Sequence, residues 1–420
     1  MTPIVGIDFG TTNTVVALSD EHGTTTTARF PVGTDMREDF RSVLCFWTED
    51  GRAGGPLRHA AGPAGIEAYV DDPLDTRLIM SMKTYLAQKS FVDTRVFGRP
   101  FTLPAMIGTF LRALAEQAGF RLEGARIVAG RPVRFAGEFA DDVLGERRLR
   151  ESFAAAGMPA VETALEPEAA GHRFARGLTA PATVLIGDFG GGTSDFSVLR
   201  FAPGMGVTPL GHAGIGIAGD TFDYRIVDKA ISPRLGKGDV YTVMGKELPV
   251  PPEYFSAFAR WHRLSMMKAP KTLREIAEVA RASKHPERLR GLLTVIEEEL
   301  GYRLYQSVSG VKAALSVADE ALLSFRHKDL VIERMVTRTE FEAWIAEDVA
   351  RIATAVDLAL TDAGISAAAI DHVFLTGGTS FVPAVRRLFT HRFGAAKVTT
   401  GGEFVSVAEG LALIGRDRTR

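Results

Sequence analysis

Apolar residues open the chain as Pro3-Ile4-Val5-Gly6-Ile7, give way to Asp8-Phe9-Gly10-Thr11-Thr12-Asn13-Thr14, and resume as Val15-Val16-Ala17-Leu18. The pattern returns 180 residues later (188 minus 8). There Val184-Leu185-Ile186-Gly187 leads into Asp188-Phe189-Gly190-Gly191-Gly192-Thr193-Ser194-Asp195, and Phe196-Ser197-Val198-Leu199 follows. Each copy predicts a hairpin of two apolar strands, with an aspartate ending the first strand and a tip of glycines and hydroxyl residues. Glycine lets backbone N–H groups approach a phosphate closely, hydroxyls add donors, and aspartate offers the oxygen that hydrated Mg²⁺ prefers. Two such tips can clamp one nucleoside triphosphate.

Between the hairpins the period changes. A polar, Thr-rich hairpin and a loop around Gly51-Arg52-Ala53-Gly54-Gly55-Pro56 give way to Phe110, Leu111, Leu114 and Ala118 at helical spacing, with Gly119 placed as a C-terminal cap. Ala125 to Gly130 reads as a strand, 138 to 157 as a helix, and Glu166-Pro167-Glu168-Ala169-Ala170-Gly171-His172-Arg173-Phe174 as a short helix started by proline. The second hairpin, 184 to 201, is followed by a mostly helical block from about 220 to 316. Strands near 330 and a helix from Thr339 come next. Asp371 to Pro383 reads as strand, glycine turn and helix start, and its Gly377-Gly378 pair leaves room for a flat ligand or phosphate. A last helix is expected over 403–415, with Arg416 to Arg420 after it. The charges of Glu297-Glu298-Glu299 read as a solvated face without function.

A chain of 420 residues suits two domains of roughly 200 residues each. A net charge of −2 gives no global positive field, which argues against nucleic acid or an anionic membrane as partner. The single cysteine, Cys45, has no internal disulfide partner, and no run of about 18 apolar residues spans a bilayer. The N-terminus enters a strand at once, so a cytoplasmic protein is expected.

Several motif readings fall away. Gly214-Ile215-Gly216-Ile217-Ala218-Gly219 fits a dinucleotide fingerprint but is read as following no clear strand. Asp188-Phe189-Gly190 spells a protein-kinase magnesium motif without the catalytic loop that accompanies it. The nine histidines show no metal-ligand spacing.

Taken in order, six segments resemble the ATPase domain of the seventy-kilodalton heat-shock chaperones, within the actin-like ATPase superfamily. They are the two tips, Leu165-Glu166-Pro167-Glu168-Ala169-Ala170, Val311-Lys312-Ala313-Ala314-Leu315-Ser316, Thr337-Arg338-Thr339-Glu340-Phe341-Glu342 and Leu375-Thr376-Gly377-Gly378-Thr379. The resemblance implies an α/β fold of two duplicated ribonuclease-H-like halves, 1–178 and 179–420, with a nucleotide cleft between them. A helical subdomain belongs to the second half, and the C-terminal helix packs back toward the first.

It also implies ATP or ADP with Mg²⁺ as cofactors and a role for each matched residue. Asp8 and Asp188 would hold the metal largely through water. Lys83 would position the attacking water, Glu166 would orient water or a metal ligand, and Asp195 would accept a proton. Thr11, Thr12 and Thr193 would donate to phosphate oxygens, beside Gly10, Asn13, Gly190, Gly191, Gly192 and Gly219. Lys312, Ser316, Gly377, Gly378 and Thr379 would take the adenosine. Three departures weaken that adenosine side: Ser309 stands where an acid is expected, Ala313 replaces the stacking arginine, and Phe381 replaces the arginine of the adenosine loop.

The function implied is a slow Mg-dependent ATPase, a chaperone-like switch whose hydrolysis changes its affinity for a protein partner or cochaperone. No peptide-binding domain is evident in the sequence. A sugar-type small-molecule kinase of the same superfamily is the alternative, and an actin-like filament former a third.

Overall fold

The computed structural model of the chain describes residues 3–49, 55–119, 124–137, 139–202, 206–259, 264–401 and 405–418. The loop expected at 51–54, the expected start of the last helix at 403–404 and the terminal Thr419-Arg420 lie outside the described residues. The chain forms two compact units, one made of 1–219 with 349–420 and the other of 220–348.

The first unit holds two sheets of the same topology. In one, β1 (Ile4–Phe9) pairs antiparallel with β2 (Asn13–Ser19), which continues to β3 (Thr25–Thr27) and to β4 (Phe40–Arg41). On its other side β1 runs parallel to β5 (Arg126–Arg131), and β5 to β6 (Glu162–Leu165). In the other sheet β7 (Ala182–Phe189) pairs antiparallel with β8 (Ser194–Ala202), and β8 with β9 (Gly206–Ile215). Here β7 runs parallel to β10 (His372–Thr376), and β10 to β11 (Val398–Thr400). Both predicted hairpins are therefore the centres of equivalent sheets, which is the duplicated α/β architecture expected. The strands β1 and β7 are buried almost throughout, because a strand flanked by a parallel neighbour is covered on both faces.

The helices follow local signals. Leu103–Ala118 starts at Thr102, whose hydroxyl accepts from the Ala105 N–H at 3.3 Å, and ends at Gly119 with φ of 73°. Asp141 caps the helix Asp142–Ala155 by accepting from Leu144 N–H at 3.0 Å, so this helix begins later than the expected 138. Glu166–Ala175 starts at Leu165 with proline in its first turn, as read. The last helix, Ser406–Asp417, reaches two residues beyond the expected 415 (417 minus 415). Glycines let it lie against its neighbours: a Cβ at Gly410 would stand 1.7 Å from the Ala169 carbonyl oxygen, and one at Gly6 would stand 2.1 Å from that of Ala408. Phe9, Phe30, Phe40 and Phe110 fill the core beneath the first sheet, with ring centres 4.8–5.7 Å apart.

The second unit contains helices Pro270–Ala282, Pro286–Glu297 and Gly301–Leu315 and the hairpin Glu320–His327 with Leu330–Thr337. The expected helical block is interrupted by a second hairpin, Val240–Val243 with Lys246–Pro249. Its two-residue turn, Met244-Gly245, has φ of 49° and 75°, the left-handed pair that a tight hairpin demands. Glu298 and Glu299 are half-buried rather than solvated. Glu298 meets His327 Nε2 and Lys328 Nζ, each at 2.6 Å, and Glu299 pairs with Lys268. Among the described residues no helix is long and apolar enough to cross a membrane.

Candidate functional site

Register places an aspartate at the equivalent point of each tip. Asp8 lies one residue from the end of β1, and Asp188 lies one residue from the end of β7, opposite Asp195 of β8. In the second tip Gly190 N–H donates to the Thr193 carbonyl at 2.9 Å; in the first, a Cβ on Gly10 would stand 2.1 Å from the Asn13 carbonyl oxygen. A Cβ on Gly192 would meet Thr11 Oγ1 at 3.2 Å, so the first tip abuts the second. Gly377, with φ of 85°, passes so close to the end of β7 that a Cβ would stand 2.1 Å from the Phe189 carbonyl oxygen. The Gly377-Gly378-Thr379 turn is thereby fixed beside the second tip, and Gly378 itself faces open space.

Lys83 is not a surface lysine. It sits in the short 3₁₀ turn Met82–Tyr85 after Ser81, whose φ of 55° is rare outside glycine and turns the chain sharply. Its Nζ meets Glu166 Oε1 at 2.6 Å, with both residues buried. Arg148, from the helix Asp142–Ala155, donates to the carbonyls of Tyr85, Leu86, Gln88 and Phe91 and so pins the loop that carries the lysine.

Four carboxylates, Asp8, Glu166, Asp188 and Asp195, surround that one ammonium, and three of them, Asp8, Asp188 and Asp195, are raised. Burial, then the Glu166 charge, pushes Asp8 up to about 7, against the pull of Lys83. Asp188 is raised well above its ordinary range by burial and by Glu166, Asp8 and Asp195. Asp195 is pushed up to about 7, first by burial and then by Glu166, although a Thr193 side-chain hydrogen bond opposes the rise. Burial alone would depress Lys83, but Glu166, Asp8 and Asp188 outweigh it and hold the amine above its usual value.

The sequence reading missed the groups that hold Asp195. Val133 and Arg134 N–H donate to its Oδ1 at 2.8 and 3.2 Å, contacts made by a loop whose sequence carries no motif. Gly214 passes on the same oxygen: a Cβ there would stand 2.5 Å from it. The segment Gly214 to Gly219 begins on a strand, as Gly214 and Ile215 are the last two residues of β9, and Gly219 opens the helix Gly219–Ile226, which corrects the expectation of no clear strand there. As an antiparallel edge strand, β9 is still no dinucleotide-binding βα unit.

The expected adenosine residues Lys312 and Ser316 belong to the second unit. Lys312 Nζ meets Asp223 Oδ2 at 2.9 Å, and the Ser309 hydroxyl donates to the same oxygen at 3.3 Å. The acid missing at 309 is thus supplied to Lys312 from another helix. Ser316 Oγ donates back to the Lys312 carbonyl at 3.2 Å.

Among the described residues, no three His, Cys, Asp or Glu side chains are spaced to form a metal-ligand group. Asp8 and Asp188 nevertheless suit a hydrated Mg²⁺ held through its waters. They offer oxygen ligands, and burial followed by the neighbouring carboxylates holds both above the usual carboxylate range, a repulsion that a bound cation would relieve.

The duplicated sheets and their aspartate-bearing tips define an actin-like ATPase fold. The resemblance read from the sequence is borne out at the level of family. The Hsp70 protein family model matches residues 295–416. The chain is 26% identical, over 97% of its length, to the chaperone protein HscA of Serratia proteamaculans, of which it spans 57%. It is 25% identical, over 98% of its length, to the chaperone protein DnaK of Deinococcus deserti, of which it spans 58%. An HscA homolog of Azotobacter vinelandii is 26% identical over 97% of the chain, which spans 56% of that protein.

Proposed function

We propose that the chain binds Mg-ATP at its paired tips and hydrolyses it slowly, as a chaperone-type ATPase whose nucleotide state alters its affinity for a protein partner. The observation that carries this reading is the buried Lys83–Glu166 pair, set among Asp8, Asp188 and Asp195 beside two glycine tips. The relatives, both DnaK and HscA, are chaperone proteins by name, which favours the switch over a small-molecule kinase.

Phosphoryl transfer asks the protein mainly to position groups and neutralise charge. Bound Mg²⁺ would supply the neutralisation that four carboxylates cannot. Thr11, Thr12, Thr193 and the tip amides donate to phosphate oxygens. Lys83, oriented by Glu166, holds the attacking water against the terminal phosphate. Asp195, fixed by two amides and titrating near neutrality, takes the proton that this water gives up.

Steady-state phosphate release tests the reading. Lys83→Ala should lower turnover roughly 10²-fold, with nucleotide affinity largely retained. An unchanged rate removes Lys83 from the chemistry, and equal losses of affinity and turnover make it a binding residue. The same assay with sugars present separates the two functions: an acceptor that speeds turnover and becomes phosphorylated identifies a kinase.

A further inference from the structure

Arg41 is a cation at the first tip that no motif marked. It stands on β4, directly opposite Asn13 of β2. Its Nη1 donates to Asn13 Oδ1 at 3.1 Å. The next residue fastens the strand further. Ser42 N–H donates to the Thr12 carbonyl at 2.9 Å, and the buried hydroxyls of Ser42 and Thr14 meet at 2.9 Å. Arg41 and Ser42 together therefore tie the strand that carries the arginine to three successive residues of the tip region, Thr12, Asn13 and Thr14. A guanidinium carries five N–H donors, and among the described residues Arg41 commits one, to Asn13, while no carboxylate neutralises it.

The charge balance around the tips gives that group a purpose. Lys83 is already engaged by Glu166, and three further carboxylates crowd the pair. A polyphosphate entering here adds more negative charge, so it needs a protein cation that is not yet spent. Guanidinium suits the task because its planar fork matches two phosphate oxygens at once. We propose that Arg41 binds the terminal phosphoryl group at the first tip and sets a preference for nucleoside triphosphate over shorter phosphates. This assignment rests on the nucleotide-binding reading above.

Affinities of ATP, AMP and inorganic tripolyphosphate, measured calorimetrically on the full chain, test it. Arg41→Ala should weaken ATP and tripolyphosphate roughly ten- to a hundredfold and leave AMP unchanged. Arg41→Lys should restore only part of the loss, since an ammonium is a point charge. Asn13→Ala, which frees the guanidinium from its anchor, should produce a smaller loss of the same kind. Unchanged ATP affinity in Arg41→Ala overturns the assignment. So does an equal loss for ATP and AMP, which marks a structural residue. If Arg41→Ala does not fold, the ATP-to-AMP ratio of the lysine variant decides in the same way. A wild-type chain that binds no nucleotide defeats the nucleotide reading instead. Tripolyphosphate then judges Arg41 alone: binding that the substitution removes upholds it, and no binding overturns it.

Discussion

Asp195 is the residue whose environment makes the sharpest claim. In the unfolded chain it titrates near 3.8; in the fold, burial moves it to about 7. The folded state therefore holds a proton that the unfolded state has lost, so the stability contributed by this group falls as pH rises from about 4 to about 7 and is level above that. His59 and His172, both depressed by burial, act in the opposite sense over part of that range, so the total slope mixes several groups. A difference between two proteins isolates one. Asp195→Asn, which mimics the protonated side chain, should gain stability relative to wild type between pH 4 and pH 7 and show a constant difference above 7. Thermal melts across that range check the sign, and a difference independent of pH removes the raised titration. The Lys83–Glu166 pair answers a different test at the same scale. Lys83→Met leaves Glu166 buried without its cation, and denaturant melts at neutral pH should show a loss of about 3 kcal/mol. Glu166→Gln combined with Lys83→Met should recover part of it, because the stranded charge is gone.

Among elements, the loop after the short turn Met82–Tyr85 depends on a helix distant in sequence. Four carbonyls of that loop end on one arginine side chain, Arg148, which replaces the ladder partners that an irregular segment lacks. Arg148→Ala should cost about 2 kcal/mol in a denaturant melt. It should also slow ATP turnover, because Lys83 then rides on an unpinned loop. A stable variant with normal turnover would show that the loop holds Lys83 without this anchor. The helix Ser406–Asp417 works at the same scale through close packing: Gly410 admits the Ala169 carbonyl of the helix that begins at Glu166, and no larger residue fits between them.

For the molecule as a whole, ligand binding to the folded form adds stability, about 2.7 kcal/mol at a hundred times the dissociation constant. Saturating Mg-ATP should therefore raise the melting temperature of the full chain. Gly378→Val separates this effect from folding. A Cβ at Gly378 meets no atom within 4 Å, so the substitution should leave the melt without nucleotide nearly unchanged while removing the ATP-dependent rise. Gly377→Val is the contrast: with φ of 85° and the Phe189 carbonyl in the way, it should destabilise the protein with or without nucleotide. A Gly378→Val protein that keeps the full rise would remove this turn from the binding site.

Local patterning was enough to read both hairpins, the helix end at Gly119 and the helix start at Glu166-Pro167, because strand burial and helix caps depend on residues a few positions apart, whereas the architecture of repeated α/β sheets was implied by the resemblance that six ordered motifs carry. The hairpin turn at Met244-Gly245 carried a local signal too, but it was lost inside a stretch dominated by helical spacing. Motifs drew attention to Asp8, Asp188, Asp195, Lys83 and Glu166. They left open whether Lys83 lay on the surface, since burial is set by chain segments distant in sequence. The meeting of Lys83 with Glu166 spans 83 positions, and that of Arg134 N–H with Asp195 spans 61. Arg41 on Asn13, Arg148 on the Lys83 loop and Asp223 on Lys312 are likewise contacts across strands, from helix to loop and between helices. Sequence by itself determined which residue types stand at the turns. Tertiary structure decided which charges share one desolvated volume, and therefore how each of them titrates, because electrostatic energy depends on separation and burial in space and not on order along the chain.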